Sequence, residues 1–350
     1  MLNKKIIAIF CLFLIVITSS VAESVVADFL KEYKEQPISF DKNIEKCFLN
    51  KNYTLNIFIY TDTFEHFENN YVQLANILSK MNVDTVYLAF NNKKFATTDT
   101  YSKNIRYFIT LAHKKNIKVS ALIYNSIYPY FSKSYRNTVK SNLKNFLSKS
   151  GRNEKFDSIT SDLEPNSLRK NIGVIPPSFK LRWDNNNGWK TKGANNKLLV
   201  MTLDLLRELR GYFPDMPIYQ TTQSYFNSYI DKGLLNVGSC SDFLKYCNAV
   251  IIMCYVNDAK KVAQLCRKSL KETSAKNSVV IAVKTSNKGN SNSSFAGNNI
   301  NELNKKLNII SVKSSNFSSF GGLAVYNLKG MLQIFLRSKL NCSPALKKRN

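Results

Sequence analysis

The chain has 350 residues and carries 50 Lys and Arg against 24 Asp and Glu, a formal charge of +26. Two histidines, and cysteines that never fall into a tight double spacing, give no basis for a metal centre, and no cofactor-binding motif is present. Lysine and asparagine are spread along the whole chain without a nucleic-acid motif, so the charge is read as a preference for anionic partners and no specific nucleic-acid partner is expected.

Residues 1–22, "MLNKKIIAIFCLFLIVITSSVA", have the form of a secretory signal: Lys4 and Lys5, an apolar stretch, then the small-residue end Ser20-Val21-Ala22. The apolar stretch is short for a bilayer span, which favours cleavage over anchoring and a secreted or periplasmic protein with no stable membrane anchor. Residues 23–54 form an N-terminal segment, and a basic tail occupies 341–350. Between them, 55–340 read as one domain of alternating strands and helices.

In chain order the strands are "LNIFIYTD" (55–62), "DTVYLAFN" (84–91), "IKVSALIY" (117–124), "FDSITSDLE" (156–164), "PIYQTTQ" (217–223), "AVIIMCYV" (249–256), "SVVIAVKT" (278–285) and "GGLAVYNL" (321–328). Stretches such as "YVQLANILSKMN", "NIRYFITLAHKKN" and "DAKKVAQLCRKSLKET" place apolar residues at three- and four-residue steps and read as helices. Eight such units predict an α/β fold, a (β/α)8 TIM barrel. The alternative is an open doubly wound sheet, but no glycine-rich loop follows the first strand. A long loop, 165–195, follows strand four and carries Trp183 and Trp189, whose rings suit either sugar stacking or loop packing. The six cysteines after residue 22 suit an oxidising compartment. Cys47–Cys342 would tie the domain's ends, and Cys240–Cys247 and Cys254–Cys266 are local alternatives.

Strand four raises the functional question. Side chains alternate along a strand, so Thr160, Asp162 and Glu164 share one face, and Pro165 stops the strand directly after them. Two carboxylates held roughly 6–7 Å apart perturb each other's titration, so that one stays protonated while the other ionises. Cleavage of a glycosidic bond requires such a division of roles.

"DSITSDLEP" resembles the fourth-strand signature D-x-x-D-x-D-x-E of glycoside hydrolase family 18, the chitinase-like barrels, with Asp157, Asp162 and Glu164 matching and Thr160 in place of the second aspartate. "IIMCYVND" is similar to that family's M-x-Y segment, and "GGLAVYNL" to its closing strand, with Tyr326 where tryptophan is usual. The resemblance implies that Glu164 is the general acid and base. It also implies that Asp162 orients a substrate N-acetyl group and that Tyr255 donates a hydrogen bond to that group. The missing aspartate and tryptophan put chitin itself in doubt.

Other strand ends offer sugar-binding groups: Asp62, Asn91, Tyr124, Asn125 and Asn257, with Gln223 or Gln220 inward but not both, and the resemblance puts Met253 inward with them. Lys284 on strand seven is either an inward group for an anionic sugar or a surface lysine. The sequence therefore predicts an exported glycoside hydrolase with a carbohydrate substrate. A non-catalytic sugar-binding barrel of the same ancestry is the second reading, and a binder of anionic surfaces the third.

Overall fold

A computed structural model describes residues 51–97, 99–169, 174–184, 193–286 and 291–342. Eight parallel strands close into a barrel in sequence order: β1 (Leu55–Ile59), β2 (Thr85–Ala89), β3 (Lys118–Ile123), β4 (Ser158–Ser161), β5 (Ile218–Gln223), β6 (Ala249–Met253), β7 (Val279–Lys284) and β8 (Phe320–Tyr326). β8 pairs back onto β1 through Leu55↔Leu323 and Ile57↔Val325. The expected (β/α)8 barrel is thus the observed fold, and each strand forms near its expected position.

The strands are rich in Val, Ile, Leu and Tyr and buried on both faces, as parallel strands inside a shell of helices must be. Phe58, Tyr87, Ala89, Leu122, Ile251, Val280, Ala282 and Ala324 fill the interior. Register carries this inner face upward: Leu122 aligns with Thr160, Thr160 with Tyr219, Thr221 with Ile251, and Gln223 with Met253.

The surrounding helices are α1 (Tyr71–Lys80), α2 (Asp99–His113), α3 (Lys133–Lys149), α4 (Ala194–Tyr212), α5 (Cys240–Leu244), α6 (Ala259–Glu272), α7 (Ile300–Ser314) and α8 (Leu328–Cys342). Side-chain caps start several of them: Ser132 accepts from Tyr135 N, Asp258 from Lys261 N, and Asn299 from Glu302 N with Glu302 returning the bond. Asparagine also supplies the stops. Asn82 and Asn116 adopt φ 52° and 58° just past α1 and α2, a left-handed turn that asparagine tolerates better than most residues. A chain with 12 glycines and abundant asparagine builds its turns this way.

The local disulfides are not formed. Cys240, Cys247, Cys254 and Cys266 are buried free thiols that pack as small apolar groups, with Cys247 Sγ donating to Phe243 O. Cys47, the signal segment and the end of the tail fall outside the described residues.

Candidate active site

β4 builds the site. Asp162 N donates to Ile123 O at 2.9 Å, so the ladder with β3 continues past Ser161 and holds the Asp162 backbone in strand geometry. The side chain of Asp162 then shares the inward face of Thr160. Glu164 follows on that face in extended conformation, φ −111° and ψ 90°. Pro165 follows this extended segment and opens a single 3₁₀ turn. That turn brings Ser167 back, its amide donating to Glu164 O at 3.0 Å and its hydroxyl to Glu164 Oε2 at 2.9 Å. The turn that opens at the proline therefore fixes the glutamate.

Each carboxylate has a donor from β5. Thr221 Oγ1 donates to Asp162 Oδ1 at 2.7 Å, and Gln223 Nε2 lies 3.4 Å from Glu164 Oε1. These two residues share the inward face of β5, whereas Gln220 faces out and donates to Leu163 O. Thr160, below Asp162, pairs its hydroxyl with Ser120 Oγ at 2.7 Å. A neutral hydroxyl pair thus occupies the place below Asp162.

Burial raises the Asp162 carboxyl to about 7, with the negative charge of Glu164 adding to the rise and the Thr221 bond opposing it. Burial also raises Glu164, opposed by Ser167 and by the Arg169 guanidinium. The pair holds a proton near neutral pH, and the two groups titrate as one system.

Three phenols complete the mouth. Tyr326 lies 5.5 Å from Tyr60 and 5.6 Å from Tyr255, ring centre to ring centre. Burial, followed by the charge of Asp162, pushes both Tyr60 and Tyr255 well above the ordinary phenol value. Tyr60 and Tyr326 share a hydrogen bond, but the Tyr255 hydroxyl is buried with no partner among the described residues. A buried donor left open beside two carboxylates can serve a ligand.

Of the residues singled out in the sequence, the structure brings together Asp162, Glu164, Gln223, Met253, Tyr255 and Tyr326. Asp62 lies in the short helix Thr61–Glu65 with its side chain 60% exposed, 3.9 Å from Lys329 Nζ. Asn91 accepts from Lys94 N at 3.3 Å after β2. Asn125 and Asn257 are exposed, with Asn257 O taking Lys306. Tyr124 adopts φ 59°, is buried, and has Glu208 and Arg136 as charged neighbours, on the helix side of the barrel. Trp183 is 3% exposed and packs on Phe226 at 5.6 Å. Trp189 falls outside the described residues. The sequence reading missed Tyr60, Thr221, Ser167 and Arg169. Parity alone could have found Tyr60, two residues beyond inward Phe58, and Thr221, two before Gln223.

No model of a known protein family matches the sequence, and no curated protein does. Among solved structures the chain is similar to a GH18 chitinase from Pseudoalteromonas aurantia, at 13% identity over 82% of this chain and 98% of that one, with a TM-score of 0.51. It is also similar to the spore cortex-lytic enzyme SleL of Bacillus cereus, at 9% identity over 81% and 74% of the two chains, TM-score 0.49. The C-terminal domain of Legionella pneumophila ChiA aligns at 11% identity over 83% and 98%, TM-score 0.45. The likeness to the first is one of fold, the (β/α)8 barrel described above.

Proposed function

We propose that this protein is an exported glycoside hydrolase that cleaves glycosidic bonds in a polysaccharide or glycan. Glu164 acts as general acid and base, and Asp162 assists it. The observation that supports the reading most is the pair itself. Asp162 and Glu164 follow directly on β4 and continue its inward face, each with its own donor, and burial raises both carboxyls, Asp162 to about 7.

In this reaction Glu164 gives its proton to the glycosidic oxygen as the bond from that oxygen to the anomeric carbon breaks. Glu164, now a carboxylate, takes a proton from water, whose oxygen bonds to the anomeric carbon, and the starting protonation state returns. On a substrate bearing an N-acetyl group, the acetamido carbonyl oxygen bonds to the anomeric carbon as the glycosidic oxygen leaves, and water then displaces it from that carbon. Asp162 accepts from the acetamido N–H and stabilises the charge that develops. The open Tyr255 hydroxyl donates to the same group.

A second reading has one specific observation in its favour. Thr160 bonded to Ser120 puts a neutral pair below Asp162 where the resembled signature carries an acid, and a sugar-binding barrel without turnover would tolerate that. The test is product release from a panel of N-acetylated, neutral and acidic oligosaccharides by the full mature chain and by its Glu164→Gln variant. Release by the parent alone supports hydrolysis. Binding by both with release by neither would leave the sugar-binding barrel.

A further inference from the structure

The 3₁₀ turn that clamps Glu164 runs on into Leu168 and Arg169. Leu168 is fully buried, and its carbonyl accepts from Trp183 N at 2.7 Å. The Trp183 ring packs on Phe226, and Tyr225, just before it, leads out of β5 two residues past Gln223. These contacts hold the turn after β4 against the start of the β5 loop, on the side where Gln223 reaches Glu164. Arg169 is exposed at that junction. Its amide donates to Ser167 O at 3.0 Å and its Nε to Asn166 O at 3.3 Å, so backbone and side chain are both tied to the turn. The terminal guanidinium nitrogens have no partner among the described residues. Tyr225 is half-buried, its ring braced by Phe226 at 5.1 Å and Tyr229 at 5.2 Å. Burial, Tyr229 and the charge of Glu164 raise the Tyr225 phenol, and Arg169 opposes them, as it also opposes the burial that raises Glu164. One cation is thus within electrostatic reach of both the carboxyl and the ring.

We infer that Arg169 is a specificity-determining residue whose open guanidinium edge reads a carboxylate on a sugar seated against Tyr225, beside Glu164. This rests on a sugar being the ligand, which the hydrolase and the sugar-binding barrel share, and not on turnover. With Nε held by Asn166 O, the opposite edge presents two parallel N–H donors, which match the two oxygens of a carboxylate. The exposed part of the Tyr225 ring offers an apolar face for the sugar that carries it. The guanidinium stays open to solvent, so the gain lies between that of an exposed ion pair and that of a buried charge-assisted bond, about tenfold in affinity.

Binding to the Glu164→Gln chain tests this without turnover and without any change in the titration of Glu164. The probes are a hexasaccharide in which glucuronate alternates with N-acetylglucosamine and the same hexasaccharide with its carboxylates reduced to alcohols. Each is titrated into the Glu164→Gln chain with Arg169 intact, with Arg169→Met, and with Lys313→Met. Lys313 is exposed in the last turn of α7, at the opposite end of the barrel, and controls for the general attraction of a basic chain. The expected result is about tenfold tighter binding of the carboxylated hexasaccharide. Arg169→Met should abolish that preference, and Lys313→Met should keep it. Equal affinity for the two sugars, no binding of the carboxylated one, or a preference that Arg169→Met leaves intact overturns the inference. Turnover by the Glu164-containing parent is scored separately. Its absence would end the hydrolase reading while the binding preference stood or fell on its own.

Discussion

Thr221 is the residue whose removal should disturb the chemistry while leaving the barrel standing. Its hydroxyl is 2.7 Å from Asp162 Oδ1, and the side chain is 1% exposed. Valine fills the same volume and removes only the donor. A hydrogen bond to a charged acceptor contributes about 1.5–3 kcal/mol. At 1.36 kcal/mol per pH unit, its loss should raise the Asp162 titration by about 1–2 pH units above its present value near 7. The sign follows from what the bond holds: Thr221 stabilises the ionised carboxylate, so its removal favours the proton. If the active form of the pair carries a single proton, the value near 7 marks the loss of that proton, so the fall of kcat/KM with pH should move upward by the same interval, while the Gln223 contact to Glu164 is untouched. Two assays read this, the pH profile of hydrolysis and a direct titration of Asp162 by carboxyl carbon NMR. A titration that stays near 7 in Thr221→Val, or moves down, would refute the assignment of Thr221 as the group that tunes Asp162.

Other consequences follow from the same geometry. Tyr255→Phe removes a buried hydroxyl with no partner among the described residues, so the variant should melt no lower than the parent while losing at least tenfold in turnover; a lower Tm would place the hydroxyl in the fold instead. Asp162 has a folded value above its unfolded 3.8, so its contribution favours folding in acid and is lost as pH rises from about 4 through about 7. The Tm of Asp162→Asn should therefore exceed that of the parent above pH 7 and converge with it below pH 4, as thermal melts across that range would show. His113 and Asp157 act in the opposite sense to each other. His113 is raised by its 3.0 Å bond to Asp157, so that part is full below 6.5 and lost as pH rises through the folded value. The lowered Asp157 contributes above 3.8 and loses its part as pH falls through its folded value. A His113→Gln variant should flatten the upper of these two limbs. Gly322 sits at φ 115°, and a Cβ there would collide with Thr54 Oγ1 and stand 2.6 Å from Thr54 O, so Gly322→Ala should cost about 3 kcal/mol or more in a denaturant melt.

The barrel was legible because eight apolar runs of β-rich residues alternate with helical periodicity, and nothing in the chain competes with that pattern. α7 shows two signals together: the Asn299–Glu302 capping box at its start and the stripe Ile300, Leu303, Leu307 and Ile310 that it buries. At the site, period-two parity aligned Asp162 with Glu164 and narrowed Gln220 and Gln223 to one inward residue. Parity fails where the backbone leaves the strand: Tyr124 has inward parity, but its positive φ carries the ring to the helix side. The cysteines mislead for a related reason, since an even count says nothing about whether the thiols pair or simply fill space among the helices. Thr221 and Ser167 were hidden because their role is to position other residues. A hydroxyl in a strand or a turn has no signature until its acceptor is known.

The central claim is that Glu164 delivers the proton to the departing oxygen. The most direct test compares Glu164→Gln with the parent on two sets of glycosides of the same sugar, one with a leaving group that departs without protonation, such as dinitrophenolate, and one with an ordinary sugar alcohol. General acid catalysis contributes about 10²- to 10⁴-fold, so the variant should lose that much on the sugar leaving group and far less on the activated one. An equal loss on both would contradict the assignment of Glu164 as the acid.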